Sequence, residues 1–560
     1  MTFNKVVFDI ETTMTADKIW CIVCKHGDTY YQFKEDRLHR FAELIKQTDE
    51  VIGHNIIGFD IPVVNTIFGY DVFANCKVTD TLVLSRLLNP MIEGGHSLKN
   101  WGTKLGQNKI HFEQFDYFSE DMLTYCRNDV ELTERLYKFL INKTKDFGMS
   151  IELEHKVAQI IQKQHERGFK INVVEAYELQ SKFQEDMNDL TTKVRETFPP
   201  IKIEEEFIPK SNNKARGYVK GVPFTKVKYK EFNLGSRQQI AERLMLLGWK
   251  PKKKTDKGHV IVDEKVLSQI HNIPEAKLIN RYLMLQKRIA QVNSWIEAIK
   301  EDGRVHGKVI TNGTITGRMS HQSPNMAQIP AVYSPYGKEC RALWTVNKGY
   351  KLVGVDASGL ELRMLAHYMN DKDYTHEVVN GDIHTANQNA AGLESRDKAK
   401  TFIYAFIYGA GSKKIGSIIG GSERDGERAK EKFLRATPSL RSLREKVERV
   451  AQRRWVRGLD QRKIIIRHPH AALNTLLQGA GAIVMKCALT LLDNYVINKR
   501  IKAFPVVNVH DEFQYEVEES KAEEFGILAV QSIIDAGKQL NVRCPLNGKY
   551  KIGNNWSETH

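Results

Sequence analysis

The chain has 560 residues, 41% of them hydrophobic and 27% charged, and carries a formal charge of +15. That length is too great for one core and calls for three or four structural units, and the excess of positive charge favours a polyanionic partner. The composition argues against three classes. Seven scattered cysteines, an odd number, do not make a disulfide framework. The opening MTFNKVVFDIETT has no leader pattern, and no apolar run approaches the roughly 18 residues of a membrane-spanning helix. A cytoplasmic protein that binds nucleic acid is the expectation.

In chain order, Lys5–Asp9 is an apolar strand that ends in Asp9-Ile10-Glu11. Alternation along a strand puts Asp9 and Glu11 on one face, which is a usable metal platform. A lone D-x-E is more often a helix cap, so this signal needs company. It comes from VIGHNIIGFD (51–60), which carries Asp60, and from Tyr125-Cys-Arg-Asn-Asp129, which is expected to open a charged helix. Tyr125 and Asp129 are four apart and share a face. Four carboxylates and a tyrosine suit a two-metal nuclease, with Tyr125 orienting the attacking water. Asp80 reads as a capping acid, and Cys21-x-x-Cys24 as strand packing rather than half a zinc site.

FDIET, HNIIGFD and YCRNDVELT resemble the three motifs of the DEDDy group of 3′–5′ exonucleases. The resemblance implies that Asp9, Glu11, Asp60 and Asp129 are metal-associated. It also implies an RNase H-like mixed sheet flanked by helices over residues 1–145.

Residues 146–300 turn helical and charged, broken by Pro199-Pro200 and a Lys-rich stretch to Glu231 that lacks periodicity and reads as a loop or inserted subdomain. Ser236 is expected to cap the helix RQQIAERLMLLG. A long basic arm suits a clamp on a duplex backbone, although solvated helix faces account for at least half of the charge. Loop-like ITNGTITGRMSHQSPNMAQIP (310–330) places Arg318 among hydrogen-bonding side chains, where it can meet a template–primer backbone.

KLVGVDASGLELRMLAHY (351–368) is an apolar strand ending at Asp356, a turn at Gly359, and a helix. Far downstream, VVNVHDEFQYEV (506–517) reads as a hairpin with His510-Asp511-Glu512 at its bend. Asp356 and Asp511 are therefore candidates to hold a pair of divalent cations. Between them, RDKAKTFIYAFIYGAG (396–411) lines up Arg396, Lys400, Tyr404 and Tyr408 at i, i+4 spacing. Two cations and two aromatics on one face fit a nucleoside triphosphate, with Phe402, Ile403, Phe406 and Ile407 turned to the support. HAALNTLLQ (470–478) sets Asn474 and Gln478 on one helix face, where amides can read minor-groove acceptors.

DASGLELR, RDKAKTFIYAFIYGAG, HAALNTLLQ and VHDE are similar, in order, to motifs A, B and C of family A (DNA polymerase I-type) DNA polymerases, nearest to the replicative polymerases of T-seven-like bacteriophages. The implied fold is α/β multidomain: an exonuclease domain (1–145), then a right hand. Its parts are a thumb with connecting helices (146–309, short basic insertion 199–231), palm (310–371), fingers (372–469, helix 396–409) and palm again (470–560).

The resemblance implies DNA-templated DNA synthesis with proofreading, and two Mg²⁺ ions at each centre. Asp356, Asp511 and the Ala357 carbonyl would hold ions, and Arg396 and Lys400 the triphosphate, with Lys400 as proton donor to the leaving group. Glu361 would exclude a ribose 2′-hydroxyl, Tyr404 would weaken discrimination against dideoxynucleotides, and Tyr408 would stack near the templating base. Arg318, Asn474, Gln478, His510 and Glu512 would meet or support DNA.

Implied partners are primer-template DNA and deoxynucleoside triphosphates, with a phage helicase-primase as a further candidate. The setting would be a host bacterial cytoplasm and the state a monomer. Phage relatives carry a long thumb insertion that captures host thioredoxin. Here that region is short and basic, so thioredoxin dependence is not expected. No 5′-nuclease domain is expected before Asp9.

Overall fold

The computed structural model describes residues 3–252, 254–255 and 257–560. The chain forms two compact units, Met1–Lys170 with His306–His560, and Ile171–Val305.

The amino-terminal part of the larger unit is a five-stranded mixed sheet. Its middle strand, Phe3–Thr12, pairs antiparallel with Ile19–His26 and parallel with Thr48–Gly53. Thr29–Lys34 and Lys77–Asp80 form the edges. Alternation sorts the middle strand between two cores. Val6 and Phe8 pack with Phe41 and Phe73, while Val7 packs with Met122, Cys126 and Val130. Asp9 and Glu11 share the face of Val7 and so point toward the helix Glu120–Thr144. Ser119 caps that helix by accepting from the Met122 N–H, and Glu120 and Asp121 in its first turn suit the helix dipole. Because this cap precedes Tyr125, the helix starts five residues earlier than the sequence reading had it.

The helix Ser150–Arg167 also belongs to this unit. Leu153, Val157, Ile160 and Ile161 join the large carboxy-terminal core. Between them Glu154, fully buried, meets Lys486 Nζ at 2.7 Å and Arg462 Nη1 at 2.6 Å. Arg462 also holds Asp460, so the buried charges cancel.

The second catalytic candidate sits on a four-stranded antiparallel sheet in the order Ala503–Val509, Glu512–Glu518, Tyr350–Ala357, Gly548–Gly553. Gly354 in its middle is required by close approach: a Cβ there would lie 2.3 Å from the Thr559 carbonyl oxygen. Helices Ala472–Lys499 and Ala522–Gln539 support the sheet. Contrary to the reading that no stretch was long enough to span a bilayer, Pro469–Lys499 is long and apolar enough. Its apolar window is 83% buried inside the protein, however, which is the signature of a core helix.

In the smaller unit the helices Val173–Thr197 and Glu275–Glu297 pack along each other. Phe198, Phe232, Ile240, Leu244 and Ile279 form its core. Ser236 caps Arg237–Leu246 as expected, accepting from the Gln239 N–H. Of the two readings of the Lys-rich stretch, a loop or an inserted subdomain, the structure has the second, as an antiparallel hairpin of Ile201–Phe207 with Phe224–Lys230. Its alternation, Ile201 and Ile203 in one strand and Val227 and Tyr229 in the other, is short and set among charged residues, and neither face is buried. Phe207, Tyr218 and Phe224 clasp its far end, with Lys226 Nζ 3.6 Å from the Phe207 ring centre.

Candidate active sites

The first site lies between the end of the middle strand and the Glu120–Thr144 helix. Glu11, Asp60 and Asp129 are each at most 7% exposed. Asp9 and Glu11 meet Cys126: single ligand atoms of the three lie within 4.8 Å of one another. Burial is the main force raising Asp9, Glu11, Asp60 and Asp129; repulsion from neighbouring acids adds to it at Asp9, Glu11 and Asp60, while Lys109 and Tyr125 oppose it at Asp129. Glu11 is pushed up to about 9 and Asp60 to about 7. All four acids named from the sequence therefore converge.

Tyr125 is raised to about 12, chiefly by burial, and its ring stacks on Phe112 at 5.3 Å. Asp80 stands beside the cluster, close enough for its charge to help raise Asp60, and is committed to bonds of its own. It accepts from the Asn55, Ile57 and Leu82 N–H groups, so it orders the loop that presents Asp60. Lys109 was missed by the sequence reading. Its Nζ lies 2.6 Å from Asp129 Oδ2 and 4.7 Å from the centre of the Tyr125 ring. It comes from an irregular segment with no motif, and nothing local in the sequence marks it.

The second site is built where two strands end side by side. Asp356 stands opposite Glu512 in the sheet register, and the Ala357 N–H donates to the Asp511 carbonyl at 3.1 Å. The turn between the hairpin strands puts His510 in the left-handed region, φ 55°. Asp356 is raised to about 6 by lost hydration first and then by Glu512 and Asp511. Asp511 is raised as well, mainly by burial. Burial would raise Glu512 too, but hydrogen bonds from His560, Gln514 and Trp556 hold it below its ordinary value. His560 Nδ1 and Trp556 Nε1 each lie 2.7 Å from its carboxylate. Glu512 is thus tied into the protein, and these two carboxy-terminal partners were not legible from the motif.

Around these acids the structure brings three sequence-named residues together. Tyr408 donates to both Glu361 oxygens, at 2.9 and 3.0 Å, and Arg318 Nη2 lies 3.4 Å from Glu361 Oε1. Arg396, Lys400, Tyr404 and Tyr408 run along the open side of the helix Arg396–Ile407, while Phe402, Ile403, Phe406 and Ile407 are buried. Arg396 Nε bonds Asp382 at 2.7 Å, a partner the sequence reading did not name. Asn474 and Gln478 are partly exposed on an otherwise buried helix, and Asn474 Oδ1 is buried with no hydrogen-bond partner. A Cβ on Gly479 would lie 3.5 Å from the Thr316 carbonyl, so this helix lies against the loop that carries Arg318.

Such a sheet, with carboxylates at its strand ends and a cationic helix beside them, defines a nucleotide-handling enzyme of mixed α/β architecture. The family model for DNA polymerase family A matches residues 217–558, and the chain belongs to that family. It is 32% identical to the DNA-directed DNA polymerase of Enterobacteria phage T3, covering 99% of this chain and 100% of that one. With the DNA-directed DNA polymerase of Escherichia phage T7 it shares 34% identity over 87% of this chain and 88% of the relative. The T3 alignment runs over 713 positions, so the phage protein has segments that this chain lacks. Among solved structures, the POL domain of Pol1 from M. smegmatis, in complex with DNA primer-template and dNTP, matches with TM-score 0.82 at 18% identity. The match covers 99% of this chain and 95% of that one, which is a likeness of fold.

Proposed function

We propose that the chain is a DNA-templated DNA polymerase that extends a primer 3′ end with deoxynucleoside triphosphates and proofreads it with a 3′–5′ exonuclease centre, in the replication of a phage genome. One observation carries the synthetic half. Asp356 and Asp511 end adjacent strands beside a cationic, aromatic helix face, in a chain of DNA polymerase family A.

Both acidic centres fit divalent cations. Their donors are hard carboxylate oxygens that repel one another, and Asp129 Oδ1 is buried without a partner. Bound there, Mg²⁺ ions would lower the cost of ionising a primer hydroxyl or a water and of charge on the leaving group. Asp356, Asp511 and the Ala357 carbonyl are the holders at one centre, and Asp9, Glu11, Asp60 and Asp129 at the other.

The protein's own groups do the rest. Arg396 and Lys400, open to solvent, neutralise the incoming triphosphate, and Lys400 gives a proton to the departing pyrophosphate. Arg396 exchanges Asp382 for that anion. Glu361, fixed by Tyr408 and Arg318, fills the space a ribose 2′-hydroxyl would take, so DNA precursors are preferred. Tyr404 donates where a dideoxynucleotide lacks its 3′-hydroxyl. Asn474 and Gln478 meet minor-groove acceptors, and His510 supports the primer end. In the second centre Tyr125 orients the attacking water.

The domain layout we infer is an exonuclease domain before a palm, fingers and thumb. The hairpin at 201–230 would meet DNA without thioredoxin. The test is extension of a matched primer on a longer template in Mg²⁺ by the unaltered protein and by Asp511→Ala. Full-length product from the first alone supports the assignment, and equal extension by both would refute it.

A further inference from the structure

The proposed exonuclease centre holds a cation that a two-ion site does not need. Lys109 reaches in among the acids from an irregular segment, with its Nζ 4.7 Å from the centre of the Tyr125 ring. With its side chain 25% exposed, it bridges the acid and the tyrosine at 2.6 Å from Asp129.

Charge balance makes this arrangement informative. Two divalent cations neutralise four carboxylates, which leaves an ammonium with no internal counter-charge. A partly exposed cation in that position is free to pair with another anion that reaches the site. The structure offers the route by which an anion would come. Lys109 stands in the lining of a cleft of about 760 Å³ whose other charged walls include Arg86, Lys99 and Lys308, with His54 and His96 beside them. Asp80, the acid in that lining, has both oxygens occupied by backbone N–H groups. A cleft lined by cations, whose Lys109 in turn contacts Asp129, suits a phosphate backbone that runs toward the acids.

We propose that Lys109 is a tethered cation that serves two anions in turn. It pairs with Asp129 while no divalent ion neutralises the acids, and with a backbone phosphate of the bound strand once ions and strand are present. The inference rests on the exonuclease reading and deepens it. The lysine competes with divalent ions for Asp129 and then contributes to binding and stabilising the phosphate under attack. A residue that merely props Tyr125 and Asp129 would do the opposite to ion affinity, because its loss would loosen the site.

The experiment uses the full chain carrying Asp356→Asn and Asp511→Asn, so that the polymerase carboxylates do not add to the count. Mn²⁺ binding is titrated by electron paramagnetic resonance with Lys109 present, with Lys109→Met and with Lys109→Arg. Hydrolysis of a 5′-labelled single strand is followed in the same three proteins at saturating Mn²⁺. Removing a neighbouring positive charge should tighten Mn²⁺ binding about tenfold in Lys109→Met. Loss of the phosphate contact should slow its hydrolysis about 100-fold. Lys109→Arg, which keeps the charge, should stay within about threefold of the parent in Mn²⁺ binding and within about tenfold in hydrolysis.

Unchanged or weaker Mn²⁺ binding in Lys109→Met would overturn the competition, and a misfolded variant could not mimic tightening. Full-rate hydrolysis by Lys109→Met would overturn the phosphate contact. A parent that fills its Mn²⁺ sites yet leaves single strands intact would instead remove the exonuclease reading, and this inference with it.

Discussion

The two acidic centres solve one electrostatic problem in different surroundings. In the amino-terminal centre the acids are sunk beneath a helix, and a lysine is drawn in among them. In the carboxy-terminal centre Asp356 lies near the end of one strand and Asp511 in the turn that opens the adjacent one, and the cations Arg396 and Lys400 belong to a separate helix. Burial raises carboxyls in both, but Glu11 reaches about 9 where Asp356 reaches about 6. The lesson is that the sunken site must displace more protons to accept a divalent ion, so it should be the more sensitive of the two to acid and to ion supply.

The sharpest break of the comparison is a swap of losses. Asp356→Ala should reduce extension of a matched primer by at least about 10³-fold while leaving strand shortening. Asp9→Ala should do the reverse. A labelled-primer gel reads both, and loss of both activities in either variant would mean that the centres are not separate.

The next effect is on pH. In the metal-free protein these carboxyls sit above their unfolded values, so the unfolded chain gives up its protons first as pH rises. Their contribution to stability is present near pH 4 and is lost through about 6 for Asp356, about 7 for Asp60 and about 9 for Glu11. Divalent ions reverse that loss. The rise in melting temperature on adding Mg²⁺ should therefore be larger at pH 9 than at pH 6. As pH falls from 9 to 6, strand shortening should fade before extension does. Parallel pH profiles for the two activities would contradict the contrast.

The smallest effect is confined to the open centre. Tyr404→Phe should raise preference for deoxy- over dideoxynucleotides by about tenfold, roughly one hydrogen bond. Incorporation ratios equal to those of the parent would remove that role for the hydroxyl.

What the sequence made legible follows the reach of its signals. Strand–acid–helix at 351–368 and the acid-tipped hairpin at 506–517 are local patterns, and both formed as read. So did the helix stripe at 396–408, because i, i+4 spacing is set within one element. Partners that arrive from elsewhere in the chain had no such signature. Lys109 comes from an irregular segment, and Asp382 caps another helix. Trp556 and His560 reach Glu512 from the far end of the chain. At 201–230, where a loop and an inserted subdomain are both open from the sequence, the structure has a hairpin; both of its faces carry charge, and periodicity reports a strand best when one side is covered.

The most direct measurement uses a 5′-labelled primer ending in a mismatch, annealed to a longer template in Mg²⁺, first without nucleotides and then with all four deoxynucleotides. Two working centres predict a descending ladder in the first lane and full-length product in the second. Extension without any shortening, or no change in either lane, would contradict the account.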